Sequence, residues 1–452
     1  MRKYILLILV SLLILSCPAD KTDPGPVENS VHIPSDFAGM CHSGYSNNLV
    51  REYEMLNEMG VVWLHRDFSW SSIEPSEGNF VFDQFDGYVQ RANDEGKKNL
   101  GMLLYDVNWV HDKFGFPRER RIREEELPYY VKYAEETVKR YNGKNGRGKV
   151  DAWLIWNEPD LSARFWEGTK EEFFALTGET ASRIRELDKR EGTTTTLIGG
   201  VFSPLALNDD SWISGLFQSG AMDKVDFVSF HPYSITPESS ANVFNIFKKK
   251  VTPYGFADKI FVNEMGYPTY LEKGSLPTGR YGTDQWEGNM PEVVVKTFAL
   301  LAAGGAKNLT WYHLFDGSNR DNNDSEDWFG LVWRKSADEW ERKGGYWGYA
   351  ISAAHIPGKT YKEKKFFSGT VPANIKSAYF EGHDSEGGNA LIVWNDSPLR
   401  PAEVTITLNG RNHKLWDIAS GESGDIAETS THTLYPANTA QKTLIFITWQ
   451  EN

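Results

Sequence analysis

The chain of 452 residues is too long for one small hydrophobic core and predicts two folded units. Its hydrophobic fraction of 40% and charged fraction of 24% are typical of a globular protein and exclude a largely disordered one. A net charge of −14 argues against a nucleic-acid backbone or an anionic membrane surface as partner, and a neutral ligand fits this charge better.

The N-terminus has the pattern of a secretory signal. Two basic residues precede the apolar run YILLILVSLLILS (4–16), which is too short for a comfortable membrane span. The run ends at Cys17, and ILSC resembles a bacterial lipobox, whose cysteine becomes the lipidated N-terminus, although Ile14 stands where Leu is more usual. We expect a lipoprotein signal over 1–17, a polar tether over 18–33, and export to the bacterial cell envelope with this anchor as the sole membrane contact. An ordinary secretory signal is the alternative.

From about residue 35 short apolar runs alternate with amphipathic helical stretches. Continuous apolar runs are expected for strands that are covered on both faces. Eight such β-then-α units within 34–357 predict a (β/α)8 TIM barrel. A doubly wound open sheet is the alternative, but no glycine-rich phosphate fingerprint follows the first strand. The predicted strands are FAGMC (37–41), VVWLHRDF (61–68), NLGMLLY (99–105), DAWLIWN (151–157), TLIGGVF (196–202), VDFVSFHPY (225–233), IFVNE (260–264) and LTWYHLF (309–315).

After about residue 358 the pattern changes to short strands separated by Gly, Asn, Asp and Pro turns. Candidate strands include NALIVWNDS, AEVTITLNG and KTLIFITWQ. This pattern predicts a C-terminal all-β sandwich domain over 358–452. The segment carries no obvious acid/base set, so packing against the barrel and sugar binding are its candidate roles, and we favour packing.

Two glutamates end predicted barrel strands. Glu158 ends the fourth strand in WLIWNEPD (153–160), and Glu264 ends the seventh. An ionised carboxylate at the end of a buried strand is costly unless it is paired, hydrogen-bonded or used in chemistry. The active site of a TIM barrel lies at the C-terminal ends of the strands, so both glutamates should face one mouth. Such a pair suits cleavage of a glycosidic bond, with retention at a carboxyl separation of about 5–5.5 Å and inversion at about 6.5–9.5 Å.

Motifs on several strands resemble the retaining glycoside hydrolases of clan A. They are WNEP closing strand four, VNEMGYP closing strand seven and Trp311 on strand eight. The stretch WSSIEPSEGNFVFDQFDGYVQRA (70–92) is similar to the segment after strand two in several families of this clan. WNEPDLSARFW (156–166) is most similar to family 39, the β-xylosidase and iduronidase group, and the trailing β-sandwich agrees. The sequence departs from the family pattern at Asp160, where Asn usually follows NEP.

The resemblance implies an exported retaining O-glycosyl hydrolase that cleaves β-glycosidic bonds of oligo- or polysaccharides by double displacement. It implies no cofactor and no metal. Glu158 would be the general acid/base and Glu264 the nucleophile. Asn157 would hydrogen-bond the sugar 2-hydroxyl, a contact that strengthens in the transition state.

The resemblance also assigns four residues around this pair. Arg66 and Tyr233 would hold Glu264 ionised, because a cation and a hydroxyl donor both favour a carboxylate. His231 would line the subsite, and Trp311 would form the floor beneath the −1 sugar. Arg66, His231 and Trp311 each have a purely structural alternative, such as pairing of Arg66 with a neighbouring acid or packing of Trp311 in the core.

Several alternatives stay open. A catalytically silent glycan-binding lipoprotein on the same barrel is one, although two retained glutamates argue against it; a transglycosylase using the same intermediate is another. The acidic run DGSNRDNNDSEDW (316–328) offers oxygen ligands for Ca²⁺, but its spacing does not match an EF-hand loop, and we expect a solvated loop. The second cysteine, Cys41, has no partner for an intramolecular disulfide in the mature chain, and we expect a small buried side chain.

Overall fold

The computed structural model describes residues 30–451, with gaps at 45, 270–287, 318–324, 365, 384–386, 398–399 and 437–442. The predicted signal peptide with Cys17, residues 18–29 of the predicted tether and the middle of the acidic run therefore lie outside the described residues.

The first strand, β1 (Val31–His32), belongs to the C-terminal domain. The next eight strands are parallel and close into a barrel, which confirms the predicted TIM-barrel fold. The strands follow one another in chain order, and the last pairs with the first, with Trp311 opposite Met40. The barrel strands are β2 (Ala38–Cys41), β3 (Trp63–Ser69), β4 (Lys98–Leu104), β5 (Ala152–Ile155), β6 (Thr196–Phe202), β7 (Phe227–Phe230), β8 (Ile260–Met265) and β9 (Leu309–Trp311).

Helices cover the outside of the barrel, and their ends follow ordinary capping chemistry. The longest helix begins with a capping box between Thr169 and Glu172 and ends at Gly192, which has the left-handed conformation that glycine allows. Pro291 lies in the first turn of the helix before β9, as its sequence position predicts. The helices are α1 (Leu49–Glu58), α2 (Trp70–Ile73), α3 (Asp83–Asp94), α4 (Asn108–Phe114), α5 (Leu127–Arg140), α6 (Lys170–Glu191), α7 (Asp210–Gln218), α8 (Pro237–Val251), α9 (Met290–Gly304) and α10 (Gly345–His355).

The barrel interior is filled by side chains and is not a pore. A separate apolar cluster combines residues from β3, β4, β5, β6 and β8, whereas their sequence neighbours pack against the helices. On β3, Trp63 belongs to the interior cluster, while Leu64 and Phe68 belong to the outer one. Because side chains alternate between the two faces of a strand, Asp67 lies on the inner face and Arg66 on the helix-facing side.

A hairpin of β10 (Val332–Arg334) and β11 (Trp340–Arg342) lies between β9 and α10. It is fastened to the loop after β9 by a buried ion pair, in which Nζ of Lys343 lies 2.7 Å from Oδ1 of Asp316. The exposed fractions of the two side chains are 2% and 0%. Gly330 N–H also donates to Oδ1 of Asp316, at 2.9 Å. This pair fixes the path of the chain over the C-terminal end of the barrel.

Replacing Lys343 by Met is expected to lower the free energy of unfolding by about 3–5 kcal/mol, because the carboxylate of Asp316 would stay buried without its cation. Urea denaturation measures the loss. The double variant Asp316→Leu/Lys343→Met should recover part of it, since an apolar pair leaves no uncompensated charge. Lys335→Met, which removes an exposed lysine from the same loop, serves as the control. An equally small effect of both single variants would contradict this role of the pair.

The C-terminal domain is a β-sandwich, as predicted. Its larger sheet has the order β1-β12-β13-β14-β19-β16-β17, and β15 pairs with β18 in a second sheet. One face of the larger sheet packs on the β15–β18 pair, and the other face, which includes Ile392 and Phe446, joins the barrel core. The strands are β12 (Thr360–Lys362), β13 (Ile375–Glu381), β14 (Asn389–Asn395), β15 (Ala402–Thr407), β16 (Arg411–Trp416), β17 (Ser423–Asp425), β18 (Thr429–Leu434) and β19 (Leu444–Gln450).

The start of the described chain differs from the predicted tether. Val31 and His32 pair with Tyr361 and Thr360 of β12, and Ile33 is fully buried. Residues 31–33 are therefore part of the folded protein, and the sequence places the end of the tether too late. The correction has a physical reason: the two-residue strand takes its partner from a segment more than 300 positions later, which no local pattern shows.

Candidate active site

The turn after β5 aims Glu158 across the barrel mouth. β5 ends at Ile155, and both Trp156 (φ 65°) and Glu158 (φ 40°) have left-handed backbone conformations. The backbone N–H of Glu158 donates to the carbonyl of Val201 on β6 at 2.9 Å. Left-handed backbone is uncommon outside glycine and persists only where its surroundings fix it. The strand is shorter than predicted because this turn begins at Trp156.

Glu264 lies near the end of β8 and is partly exposed. The hydroxyl of Tyr233 donates to its Oε1 at 2.9 Å. Gly266 follows in the same motif, where a Cβ would lie 2.0 Å from the carbonyl oxygen of Tyr312. Only glycine allows this close approach between the chain after β8 and the chain after β9.

The two glutamates face each other. One carboxylate oxygen of Glu158 and one of Glu264 lie within 4.8 Å of each other, and a ring nitrogen of His231 lies within the same distance of both. Carboxyl groups about 5–5.5 Å apart suit direct attack by one of them on an anomeric carbon, whereas a water-mediated inversion needs about 6.5–9.5 Å. The spacing therefore fits covalent capture of a sugar.

His231 occupies a different place from the predicted one. Its ring is fully buried, with Nδ1 2.8 Å from Oε1 of Glu158 and Nε2 2.9 Å from Oδ1 of Asn263. Both ring nitrogens have protein partners, so the ring supports Glu158 from behind and offers no free polar atom to a sugar. The hydroxyl of Ser229 also donates to Asn263 and so fixes the amide in turn.

Two groups of the site, His231 and Glu264, have raised pKa values. Burial lowers the pKa of His231, but the two carboxylates outweigh it and raise the value to about 9. Burial raises the pKa of Glu264, and the charge of Glu158 acts in the same direction. His231, His42 and the hydroxyl of Tyr233 oppose that rise. Two acids and one base thus share protons in one buried cluster.

Asn157 and Trp311 each present an unsatisfied polar atom. Nδ2 of Asn157 donates to the hydroxyl of Tyr105 at 3.3 Å, whereas its buried Oδ1 has no hydrogen-bond partner among residues 30–451 outside the gaps. Trp311 is fully buried, and its Nε1 likewise has no acceptor in the described part of the chain. Buried polar groups are usually paired. A sugar hydroxyl would satisfy the Asn157 oxygen, and the sugar contact of this residue stays a prediction.

Arg66 does not point into the barrel with Glu264. Its Cζ lies 4.1 Å from the centroid of the Tyr88 ring in α3. This contact is expected for a side chain on the helix-facing side of β3. Burial raises the pKa of neighbouring Asp67, and the positive charge of Arg66 opposes this rise. The charges of His231 and His42 act on Glu264. The alternation of side chains along β3 explains the difference.

Sequence reasoning missed His42, which directly follows β2. Its ring lies 5.5 Å from that of Tyr312, and its charge acts on both Glu264 and Asp67. The rule that strand ends form the site would have found it, because it follows the first predicted strand. His42 also borders a polar cavity of about 230 Å³. The other residues that line this cavity are Arg66, Asp67, Ser69, Ser72, Gln84 and Phe85.

Cys41 is a buried structural residue, as expected. It is fully buried, its Sγ donates to the carbonyl of Asn263 at 3.2 Å, and it lies 3.3 Å from Nδ1 of His65. Burial raises the pKa of the thiol, and the charge of Glu264 acts in the same direction. A thiol with a raised pKa is a poor nucleophile.

Glu158, His231 and Glu264 form the one group of three or more His, Cys, Asp or Glu side chains whose spacing would suit a metal ion in the described part of the chain. Nδ1 of His231 and Oε1 of Glu158 are in direct contact at 2.8 Å. This contact is a hydrogen bond, so the two side chains share one proton.

The closed parallel barrel, the β-sandwich after it and the paired carboxyl groups define the class: a TIM-barrel protein with an acidic centre at the C-terminal mouth. No helix within the described ranges has both the length and the hydropathy that a membrane crossing requires.

Comparisons with known proteins narrow this class. The model of the glycosyl hydrolases family 39 matches residues 125–256, and a beta-galactosidase family model matches residues 43–100. A beta-xylosidase from Caldicellulosiruptor saccharolyticus is 32% identical over 103 residues, which are 22% of this chain and 19% of that protein. The matched segment thus spans about a fifth of the length of this relative.

Solved structures of glycosidases share the fold across nearly the whole chain. A family 39 glycoside hydrolase from Bacteroides cellulosilyticus WH2 is 18% identical with a TM-score of 0.69, over 92% of this chain and 81% of that one. A family 39 beta-xylosidase from Caulobacter crescentus is 13% identical with a TM-score of 0.58, over 95% of this chain and 98% of that one. A family 51 alpha-L-arabinofuranosidase from Bifidobacterium longum is 14% identical with a TM-score of 0.57, over 94% of this chain and 98% of that one. The resemblance to clan A, and to family 39 within it, is confirmed.

Proposed function

We propose that this protein is a retaining glycoside hydrolase that acts on β-linked sugars of oligo- or polysaccharides. The observation that carries the proposal is the pair of carboxylate oxygens within 4.8 Å at the ends of β5 and β8. The similarity to family 39, to which the beta-xylosidase from Caulobacter crescentus belongs, supports the reaction class.

In the first step, Glu264 attacks the anomeric carbon while the bond from that carbon to the leaving oxygen breaks. Glu158 gives its proton to this oxygen, so the aglycone leaves as a neutral alcohol. His231, in contact with Glu158, keeps a proton within the pair until the pH rises through about 9. The free oxygen of Asn157 accepts a hydrogen bond from the sugar 2-hydroxyl.

In the second step, Glu158 has become a carboxylate and acts as a base. It takes a proton from a water molecule, whose oxygen attacks the anomeric carbon and displaces Glu264. The configuration at this carbon is inverted twice and therefore retained. Tyr233 stabilises the released carboxylate of Glu264 through its hydroxyl. The polar cavity beside His42 offers hydrogen-bonding groups to a further sugar unit.

A panel of aryl β-glycosides, with xylosides first, tests this function. The wild-type protein should release the phenol from at least one member, and the double variant Glu158→Gln/Glu264→Gln should not. Binding of oligosaccharides by both proteins without turnover by either would support instead the glycan-binding alternative.

We further propose export to the bacterial cell envelope with a lipid anchor at Cys17, on the lipobox-like stretch ILSC. In a bacterial host that processes lipoproteins, the mature protein should fractionate with membranes and carry a diacylglyceryl group, detectable by mass spectrometry of its N-terminal peptide. Cys17→Ser should abolish this mass and release the protein into the soluble fraction. Equal fractionation of both proteins would contradict the anchor.

A further inference from the structure

Two arginines and two aromatic rings form a stack at the C-terminal end of the barrel. The rings of Tyr105 and Phe165 are nearly parallel, at 10°, and their centroids are 5.8 Å apart. Cζ of Arg120 lies 4.4 Å from the Tyr105 centroid, and Cζ of Arg164 lies 4.6 Å from the Phe165 centroid. We call these four residues the arginine–aromatic stack. The attraction between a guanidinium and a ring face holds each arginine in place.

The stack is built by two loops that are fastened to each other. The chain after β4 contributes one arginine and one ring, and the chain after β5 contributes the others. The backbone N–H of Arg120 donates to Oε2 of Glu167, and the backbone N–H of Glu167 donates to the carbonyl of Arg120, both at 2.8 Å. The indole N–H of Trp156 donates to the carbonyl of Phe165 at 2.9 Å. The side chains of the stack therefore start from backbone that hydrogen bonds fix.

The stack adjoins the residues that lead to the general acid. Nδ2 of Asn157 donates to the hydroxyl of Tyr105 at 3.3 Å, and the ring of Tyr105 packs edge-on against Trp156. These are the two residues before Glu158, and the same loop continues from Glu158 to Phe165. A general acid protonates the oxygen of the leaving group, so the unit behind that oxygen lies on the Glu158 side of the centre. The stack is therefore on the side of the leaving group.

The two cations of the stack differ in their acidic neighbours. Oδ1 of Asp106 lies 3.6 Å from Nε of Arg120, and Oδ2 of the same carboxylate lies 3.4 Å from Nε2 of the buried His111. Arg164 is exposed, and its guanidinium has no carboxylate within 4 Å in the part of the chain that the structure describes. The charge of Arg120 is thus matched within the protein, whereas that of Arg164 is open to a ligand.

We propose that Arg164 binds the carboxylate of a uronic acid on the leaving-group side, so that the substrate is a β-glycoside of an acidic sugar. The inference deepens the proposed function and rests on it. A planar guanidinium donates two parallel hydrogen bonds to a carboxylate. Contact with Phe165 also lowers the side-chain entropy that an exposed arginine loses on binding. The net charge of −14 favours a neutral ligand for the molecule as a whole, and Arg164 supplies a local exception.

The test compares two substrates that differ only in this charge. In each, the sugar that the panel identifies, or xylose if it identifies none, is β-linked to position 4 of glucuronic acid, which is either the free acid or its methyl ester. The wild type should have a kcat/KM about tenfold higher for the acid at low ionic strength, and 1 M salt should shrink this ratio. In Arg164→Gln the ratio should be close to one, and Arg164→Lys should keep part of it.

Arg118→Gln is the matched control. It also removes the positive charge of an exposed arginine, but one that pairs with Asp112 at 2.6 Å in the chain after β4. Its acid-to-ester ratio should equal that of the wild type. A ratio of one in the wild type would overturn the inference, and so would equal losses of the ratio in Arg164→Gln and Arg118→Gln.

A binding measurement separates this inference from the proposed function. In calorimetry, the double variant Glu158→Gln/Glu264→Gln should bind the acid about tenfold more tightly than the ester, and adding Arg164→Gln should remove the difference. If the wild type hydrolyses neither disaccharide, this difference in binding would support the inference and refute the proposed function alone. Hydrolysis of both disaccharides with equal kcat/KM would refute the inference alone.

Discussion

Glu264→Ala is expected to lower kcat/KM by roughly 10⁴-fold or more, on activated and unactivated glycosides alike. The reason is geometric: Tyr233 orients the carboxylate of Glu264 towards the mouth, whereas Glu158 is the carboxyl group that His231 contacts directly. Steady-state kinetics on the substrate that the panel identifies measures the loss.

Sodium azide gives this prediction a chemical signature. In Glu264→Ala, azide can enter the space of the missing carboxylate and displace the aglycone directly, which forms a glycosyl azide of inverted, α configuration. Glu264→Gln is the matched control, since its amide fills that space, and it should be as inactive but without rescue. A β-configured azide from Glu264→Ala would show that the two glutamates have the opposite roles.

Glu158→Ala is expected to have the second largest effect, and one that depends on the leaving group. For alkyl glycosides, kcat/KM should fall by about 10²–10⁴-fold, the usual contribution of general acid catalysis. For dinitrophenyl glycosides it should change little, because the first step needs no proton there. kcat should still fall, since the second step loses its base.

Azide distinguishes this variant as well. It should attack the glycosyl-enzyme of Glu158→Ala in place of activated water and give a β-glycosyl azide, the retained product. His231→Asn tests the partner of Glu158: it should move the alkaline limb for poor leaving groups without abolishing turnover of good ones. Equal losses of Glu158→Ala on good and poor leaving groups would contradict its role as the acid.

Much of the fold is predictable because the physics of a parallel barrel is local in sequence. A strand covered on both faces has to be continuously apolar, and each of the eight predicted runs overlaps a barrel strand. Strand ends are less predictable. β5 ends at Ile155 because Trp156 and Glu158 turn left-handed, a conformation that contacts with β6 hold and that these residue types do not favour.

In the C-terminal domain, the sequence pattern reveals the buried strands but not the exposed ones. β14 and β19 are central, almost wholly buried strands, and their apolar runs reveal them. β17 and β18 are largely exposed, and their polar sequences give no strand pattern. β1 pairs with β12, which follows the whole barrel in the sequence. Such strands are specified by pairing, not by their own composition.

The site follows the same division. Glu158 and Glu264 are predictable because each ends a buried strand, where an ionised carboxylate is costly unless it is paired, hydrogen-bonded or used in chemistry. The neighbouring side chains of each glutamate are less predictable. A shift of one position decides whether Arg66 or Asp67 faces the interior, and His231 reaches Glu158 only because β7 and the turn after β5 meet in space. The sequence thus shows which side chains are available to the site, and the packing of the strands decides which of these side chains are in contact.

The central claim is that Glu264 captures the sugar covalently while Glu158 faces it. Its most direct test is to incubate the protein with the activated 2-deoxy-2-fluoro glycoside of the sugar that the panel identifies, and to map the label by peptide mass spectrometry. The account predicts one fluoroglycosyl group per protein, on Glu264. A label on Glu158 or on any other residue would contradict it.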